Sequence, residues 1–323
     1  MRLSHLAVLI LLSTLWGSAF MLVRVVLDEV PPLTLVAGRL GGAFVFLAVA
    51  LLITGRSLPI ARWPSGQGAG PKPWQTFLLL GVVNNVFPFS MLTWGQQHIE
   101  SSLAAILVAS MPLSTAMLAH YWVRERLTID RTLGVLVGFG GVFVLIGGDL
   151  GDLTASSTLG QFAIVGGVLG YSFGTVYARR YLQEADALVV AAGQTMVAAA
   201  VMAPIALAVD RPFDLTLEAK TVFAWLALGL LASALAYLLF FWLIRRVTAT
   251  QVSMVTYLIP VTALFLGVLV LDERLGMNSF AGLGVIILGV WIVNGGGSWL
   301  AARVRGEREP AVGPISGGAE PEE

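Results

Sequence analysis

The feature that most constrains this chain is a recurrence of apolar runs, each close to the ~20 residues with which an α-helix crosses ~30 Å of hydrocarbon. Cut at their polar punctuation, they fall at about 5–27, 33–54, 74–94, 101–123, 132–148, 159–180, 187–209, 219–243, 250–271 and 279–299. A soluble globule of 323 residues has no core large enough to hide them: 57% of the residues are apolar and 12% charged, about half the charge of an average soluble domain. In lipid every backbone polar group must be satisfied within the chain, and uniformly apolar runs of this length do so as helices. The expected fold is therefore an all-α integral membrane protein of ten transmembrane helices. Connections are short except 55–73, a Gly-, Pro- and Arg-bearing loop, and the polar, acidic stretch 303–323 reads as a disordered tail. The first run is too long for a signal-peptide core and lacks a small-x-small cleavage site, so it reads as a retained span.

Charge sets the direction. With the N-terminus in the cytoplasm, fourteen Lys and Arg residues at span ends lie inside and three, Arg211, Lys220 and Arg274, outside. The positive-inside rule then places both termini in the cytoplasm of a cell-membrane protein. Net charge is zero, so no basic field invites nucleic acid, and zero cysteines exclude disulfides, thiolate metal sites and cysteine nucleophiles.

The chain also matches itself. At an offset of 148 residues Trp94 meets Trp242, Pro112 meets Pro260, Glu125-Arg126-Leu127 meets Glu273-Arg274-Leu275, and Gly134 and Gly141 meet Gly282 and Gly289. Earlier in each half the offset is 155, pairing Arg24 with Arg179 and Ala37-Gly38-Arg39 with Ala192-Gly193-Gln194; the longer 55–73 loop accounts for the difference. Two repeats are expected, 1–148 and 149–302. Each holds an odd number of spans, so the second enters the membrane from the opposite side. Inverted repeats are a physical route to alternating access around a midplane site.

The opening Leu15-Trp16-Gly17-Ser18-Ala19-Phe20, Arg39 early in the second span, and the twice-occurring Pro, Glu, Gly, Gly series resemble the drug/metabolite transporter superfamily, specifically its ten-helix EamA branch. The resemblance covers about residues 5–297. It implies transport, mostly export, of small metabolites such as amino acids, with no cofactor.

Candidate site residues are the polar and aromatic groups at membrane depth. Arg39 lies about two turns inside its span, where a charge must face protein or water. Its stem either snorkels to the surface or binds helix-end carbonyls, or its planar fork receives a carboxylate. Its repeat mate is neutral Gln194. Asn84 and Asn85 are midspan amides that serve as interhelical glue or line a cavity. Trp16 and Tyr171 are repeat mates away from the interfacial aromatic belt, and Tyr237 and Tyr257 are further cavity candidates. Pro112 and Pro260 each remove a backbone hydrogen bond, making ordinary bends or paired hinges. Glu125 and Glu273 read as paired with adjacent arginines or capping the next helix. Glycines four apart, Gly38/Gly42, Gly134/Gly138 and Gly166/Gly170/Gly174, permit close packing; the glycine-rich spans 5 and 10 are alternatively a homodimer interface.

Other functional classes lack their signatures. His5, His98 and His120 are far apart, so neither a catalytic nor a metal constellation forms, and no phosphate loop is present. The expected protein is a secondary transporter of a small-molecule substrate in a lipid bilayer. The competing expectation is a flippase for lipids or lipid-linked sugars, which some members of that superfamily are.

Overall fold

The structure, a computed structural model, describes residues 3–63, 71–123, 128–147, 155–182, 184–244, 246 and 249–293, and the described residues are helical apart from short connections. Spans 1 and 2 are Leu3–Leu27 and Pro32–Ile53, span 3 is Pro73–Gly95, and span 4 is split into Ser101–Val108 and Met111–Val123. Span 5 is Ile129–Gly147, span 6 Ser156–Tyr181 and span 7 Ala187–Val209. Span 8 runs Ala219–Gly229, Leu230–Leu235 and Ala236–Ile244 without a break in the chain, and spans 9 and 10 are Ala249–Leu271 and Met277–Val293.

Local chemistry sets the boundaries. Proline occupies the first helical position of spans 2 and 3, where its missing N–H costs nothing. Asp186 caps span 7, accepting from the amides of Leu188 at 2.9 Å and Val189 at 3.3 Å. Span 2 stops at Gly55, whose φ of 65° turns the chain left-handed beyond the last helical turn.

The packing follows the inverted repeat. Span 2 lies along its mate span 7 and span 5 along its mate span 10; span 1 packs on spans 8 and 9 as span 6 packs on spans 3 and 4. Spans 1 and 6 thus bridge a 2-3-7-8 group and a 4-5-9-10 group. The second group closes through glycine: a Cβ on Gly134 would stand 2.8 Å from the Gly289 carbonyl, and one on Gly141 2.9 Å from that of Gly282. These glycines of spans 5 and 10 are used against each other within the chain, while Leu133, Leu136, Phe143 and Phe280 point outward, exposed. Outward apolar residues are what a lipid-facing bundle requires.

Polar clasps hold helix ends. Asp210, after span 7, accepts from the Thr34 amide at 2.7 Å and its hydroxyl at 2.9 Å, covering the N-terminus of span 2. At the other end of the same helix pair Arg56 meets Asp186 at 2.9 Å. Glu273 accepts from the amides of Ser101 at 2.7 Å and Ser102 at 3.0 Å. It therefore caps span 4 in the other repeat, not the helix that comes after it in the chain, because the 9–10 connection lies beside the start of span 4. Burial, reinforced by the neighbouring Glu273 charge, holds the Glu100 carboxyl above the ordinary carboxylate range. Glu125 lies outside the described residues.

Candidate functional site

Spans 3 and 8 both leave α register at midspan. Gly81–Val86 and Leu230–Leu235 are π-helical, and the 148-residue offset superimposes one on the other within a residue. In each, a polar side chain bonds the carbonyl five residues back: Asn85 Nδ2 donates to Leu80 O at 3.1 Å, and Ser233 Oγ to Leu228 O at 2.8 Å. The pairs 85/233 and 80/228 are repeat mates. Pro88 comes after only the first π segment, with Ala236 in its place in span 8, so proline is not the common cause. The shared element is a polar side chain that competes for the widened turn's carbonyl.

Both polar residues face one cluster. Arg39 Nε donates to Ser233 Oγ at 2.9 Å, and its guanidinium carbon stands 4.1 Å above the Phe89 ring centre. Tyr171 meets the same Phe89 ring edge-on, with centroids 6.1 Å apart. Tyr237 OH donates to Asn85 Oδ1 at 3.1 Å, and Asn84 Nδ2 to Gln194 Oε1 at 3.4 Å. A side chain on Gly174 would collide with Asn84, so the bare glycine makes room for that amide. Arg39, Tyr171 and Tyr237 lie within the bundle and in electrostatic reach of one another, yet protein covers each only partly. Their uncovered surface, among spans 2, 3, 6 and 8, is the candidate cavity.

Arg39 carries the electrostatics of this cavity. Among the described residues neither terminal nitrogen of its guanidinium has a hydrogen-bond partner and no carboxylate pairs with it. A lone arginine at helix centre costs ~2.5–3.5 kcal/mol on insertion scales. The cavity is thus cationic, walled by aromatics, and supplied with donors.

Spans close around it by matched contacts. Toward the face where span 1 begins, the N-terminal face, the Phe77 ring lies against Gly193, where a Cβ would stand 2.5 Å from it. Toward the opposite face the Trp225 ring lies against Gly38, and its Nε1 donates to Leu35 O at 2.9 Å. Phe77 and Trp225 are repeat mates, as are Gly193 and Gly38. Thr76 and Tyr177 add a buried hydroxyl pair at 3.0 Å on the Phe77 side.

The fold separates the residues singled out in the sequence. Arg39, Asn84, Asn85, Tyr171, Gln194 and Tyr237 come together in one cluster, in which Asn85 and Gln194 are buried and the other four partly uncovered. Trp16 does not join them by any ring or hydrogen-bond contact among the described residues; it stacks 5.5 Å from Phe240, one turn beyond Tyr237. Tyr257 lies on span 9, and its side chain falls outside the described residues. Pro112 lies just after the break in span 4 at 109–110, whereas Pro260 sits inside an unbroken span 9. Arg24 reaches the end of span 3, donating to Gln96 O at 3.2 Å. Sequence reading missed Ser233 and Phe89. The repeat offset pointed to both, since they are the mates of Asn85 and Tyr237.

A ten-span bundle of two inverted halves with a polar cavity between them is the architecture of a membrane transporter. The pattern of the EamA-like transporter family matches residues 3–147 and again 158–295, and the chain belongs to that family. Among similar proteins, the uncharacterized inner membrane transporter YedA of Escherichia coli is 28% identical over 308 residues, 94% of this chain and 93% of its own. The uncharacterized transporter YoaV of Bacillus subtilis is 22% identical over 284 residues, 88% and 94% of the two chains. A solved crystal structure of a protein with 20% identity shares the fold, with a TM-score of 0.63 over 94% of this chain and 99% of that one. The protein is thus a multi-pass membrane transporter.

Proposed function

We propose that the chain is a secondary transporter of the cell membrane, with both termini cytoplasmic, that exports small carboxylate-bearing metabolites, a class that includes amino acids. The two halves, 1–148 and 149–302, alternate access to a cavity lined by Arg39, Asn84, Tyr171 and Tyr237, with Asn85 and Gln194 buried behind them. The observation that carries this reading is the guanidinium of Arg39, whose terminal nitrogens meet no partner among the described residues at membrane depth. Two parallel N–H donors on a planar fork match a carboxylate. The matched contacts, Phe77 on Gly193 and Trp225 on Gly38, support alternation, since the repeat relates them and they lie toward opposite ends of the spans around the cluster. The relatives' names, transporter and inner membrane transporter, agree in class.

The test is purified protein in liposomes loaded with a pooled metabolite extract, each component followed by mass spectrometry. Selective release of carboxylates by the wild type, lost in Arg39→Gln at equal membrane abundance, is the expected result. Movement of a labelled lipid between leaflets with no release of any solute would replace the metabolite reading with a flippase.

A further inference from the structure

The charge inventory of the membrane interior narrows the substrate beyond the class of transporter. Among the described residues no acidic side chain lies deeper than the second residue of a span. The carboxylate that caps the start of span 2, Asp210, is engaged by both polar groups of Thr34. Arg39 is seven residues along that helix, about 10 Å deeper. The protein therefore supplies no counter-ion at the depth of its one central cation. What it supplies is a set of donors: the two terminal nitrogens of Arg39 and the Tyr171 hydroxyl, which has no hydrogen-bond partner among the described residues.

Resting on the proposed role of Arg39, we infer that the cavity takes net-anionic organic acids in preference to zwitterionic amino acids, and that the carrier reorients only with such an anion bound, making it an anion exchanger. Two observations carry this. First, an ammonium group entering beside Arg39 meets no carboxylate among the described residues, and the amides of Asn85 and Gln194 are buried, each oxygen already taking one hydrogen bond. Asn85 Oδ1 accepts from Tyr237, the Phe89 face is covered by the guanidinium, and Gln194 Oε1 accepts from Asn84. Second, alternation passes through a form in which both the Phe77 and the Trp225 closures are made. In that form an empty cavity encloses an uncompensated cation, whereas a bound carboxylate neutralises it. Closure removes the water that solvates Arg39 in the open forms, so the empty carrier should reorient more slowly than the loaded one.

The experiment uses the full chain in liposomes with the membrane potential clamped at zero, loaded with labelled matched pairs that differ only at C2: pyruvate and alanine, 4-methyl-2-oxopentanoate and leucine, phenylpyruvate and phenylalanine. At least one oxo acid is expected to leave ten or more times faster than its amino-acid partner. Its efflux should accelerate by a similar factor or more when the same unlabelled oxo acid is outside. Arg39→Lys, which keeps the charge, should retain dependence on the external anion with weaker apparent affinity; Arg39→Gln should lose that dependence in whatever flux remains. Equal efflux into anion-free medium overturns exchange while leaving the carboxylate transporter standing. Release of an amino acid in preference to its oxo acid overturns the anionic class. If no carboxylate of any pair moves, the inference falls together with the proposed role of Arg39.

Discussion

The two halves of this protein share a backbone plan and differ in the chemistry they place on it. Asn85 and Ser233 occupy equivalent turns of equivalent π segments and bond equivalent carbonyls, yet one amide receives Tyr237 and one hydroxyl receives Arg39. Phe89 and Tyr237 are mates, one offering only a ring face, the other a hydroxyl as well. Arg39 and Gln194 are mates, one charged and one neutral. The repeated features are those that bend, widen and close helices. The unrepeated ones are those proposed to meet a ligand. Motion needs symmetry between inward and outward states; recognition of one asymmetric molecule does not.

That division can be tested. The largest effect is expected at the charge: Arg39→Gln, which makes the position identical to its mate, should lower carboxylate flux roughly ten- to a hundredfold, the worth of hydrogen bonds to a charged group, measured in liposomes per molecule of protein. Adding Gln194→Arg to it should restore part of the flux if the halves are interchangeable around the cavity; no recovery would show that the surrounding aromatics, not the two-fold relation, define the site.

The closures come next. Gly193→Ala pushes on the Phe77 ring and Gly38→Ala on that of Trp225, strains of roughly 1–3 kcal/mol. The chain has no cysteine, so single cysteines at partly buried Leu79, two residues beyond Phe77, and at partly buried Leu33, two residues before the Leu35 carbonyl that Trp225 bonds, report opening. Labelling at Leu79 should rise several-fold in Gly193→Ala and labelling at Leu33 in Gly38→Ala. The same response to both substitutions would break the claim that the two contacts seal opposite faces.

Tyr237→Phe copies Phe89 and removes one hydrogen bond, worth about 1 kcal/mol, so the apparent KM should rise about fivefold with little change in the maximal rate. Ser233→Ala should do the same or somewhat more, because Arg39 loses its anchor. An effect confined to the maximal rate would assign both residues to motion instead of binding.

The smallest effect is expected at the edge of span 4. Glu100 is ionised in the fold only above a raised pKa, so its charge beside Glu273 disfavours the folded state at high pH and not below the ordinary carboxyl range. Glu100→Gln should therefore raise the melting temperature at pH 8, by a free energy under ~1 kcal/mol, and have no effect at pH 4.

Much of this was legible in the residues. Apolar runs of membrane length report spans because the bilayer admits little else, and the offsets of 148 and 155 report an inverted repeat because an odd span count reverses the copy. Arg39 stood out because charge at that depth is costly. The π segments were not legible: they arise when Asn85 and Ser233 take a carbonyl five residues back, and nothing in composition separates that from an ordinary polar residue on a helix face. Nor was the partner of Glu273, since local sequence shows the next helix and not the one that folding brings alongside.

By itself, then, the sequence determined the class of solvent, the number of spans, their repeat and the depth of the one central cation, all of which depend on residue type and spacing along a helix. Only the tertiary structure decided which side chains share the cavity, that Trp16 stands apart from it, and that Ser233 and Phe89 hold Arg39. Those are contacts between spans far apart in the chain, and they arise from where glycines let backbones approach and where widened turns let side chains reach inward.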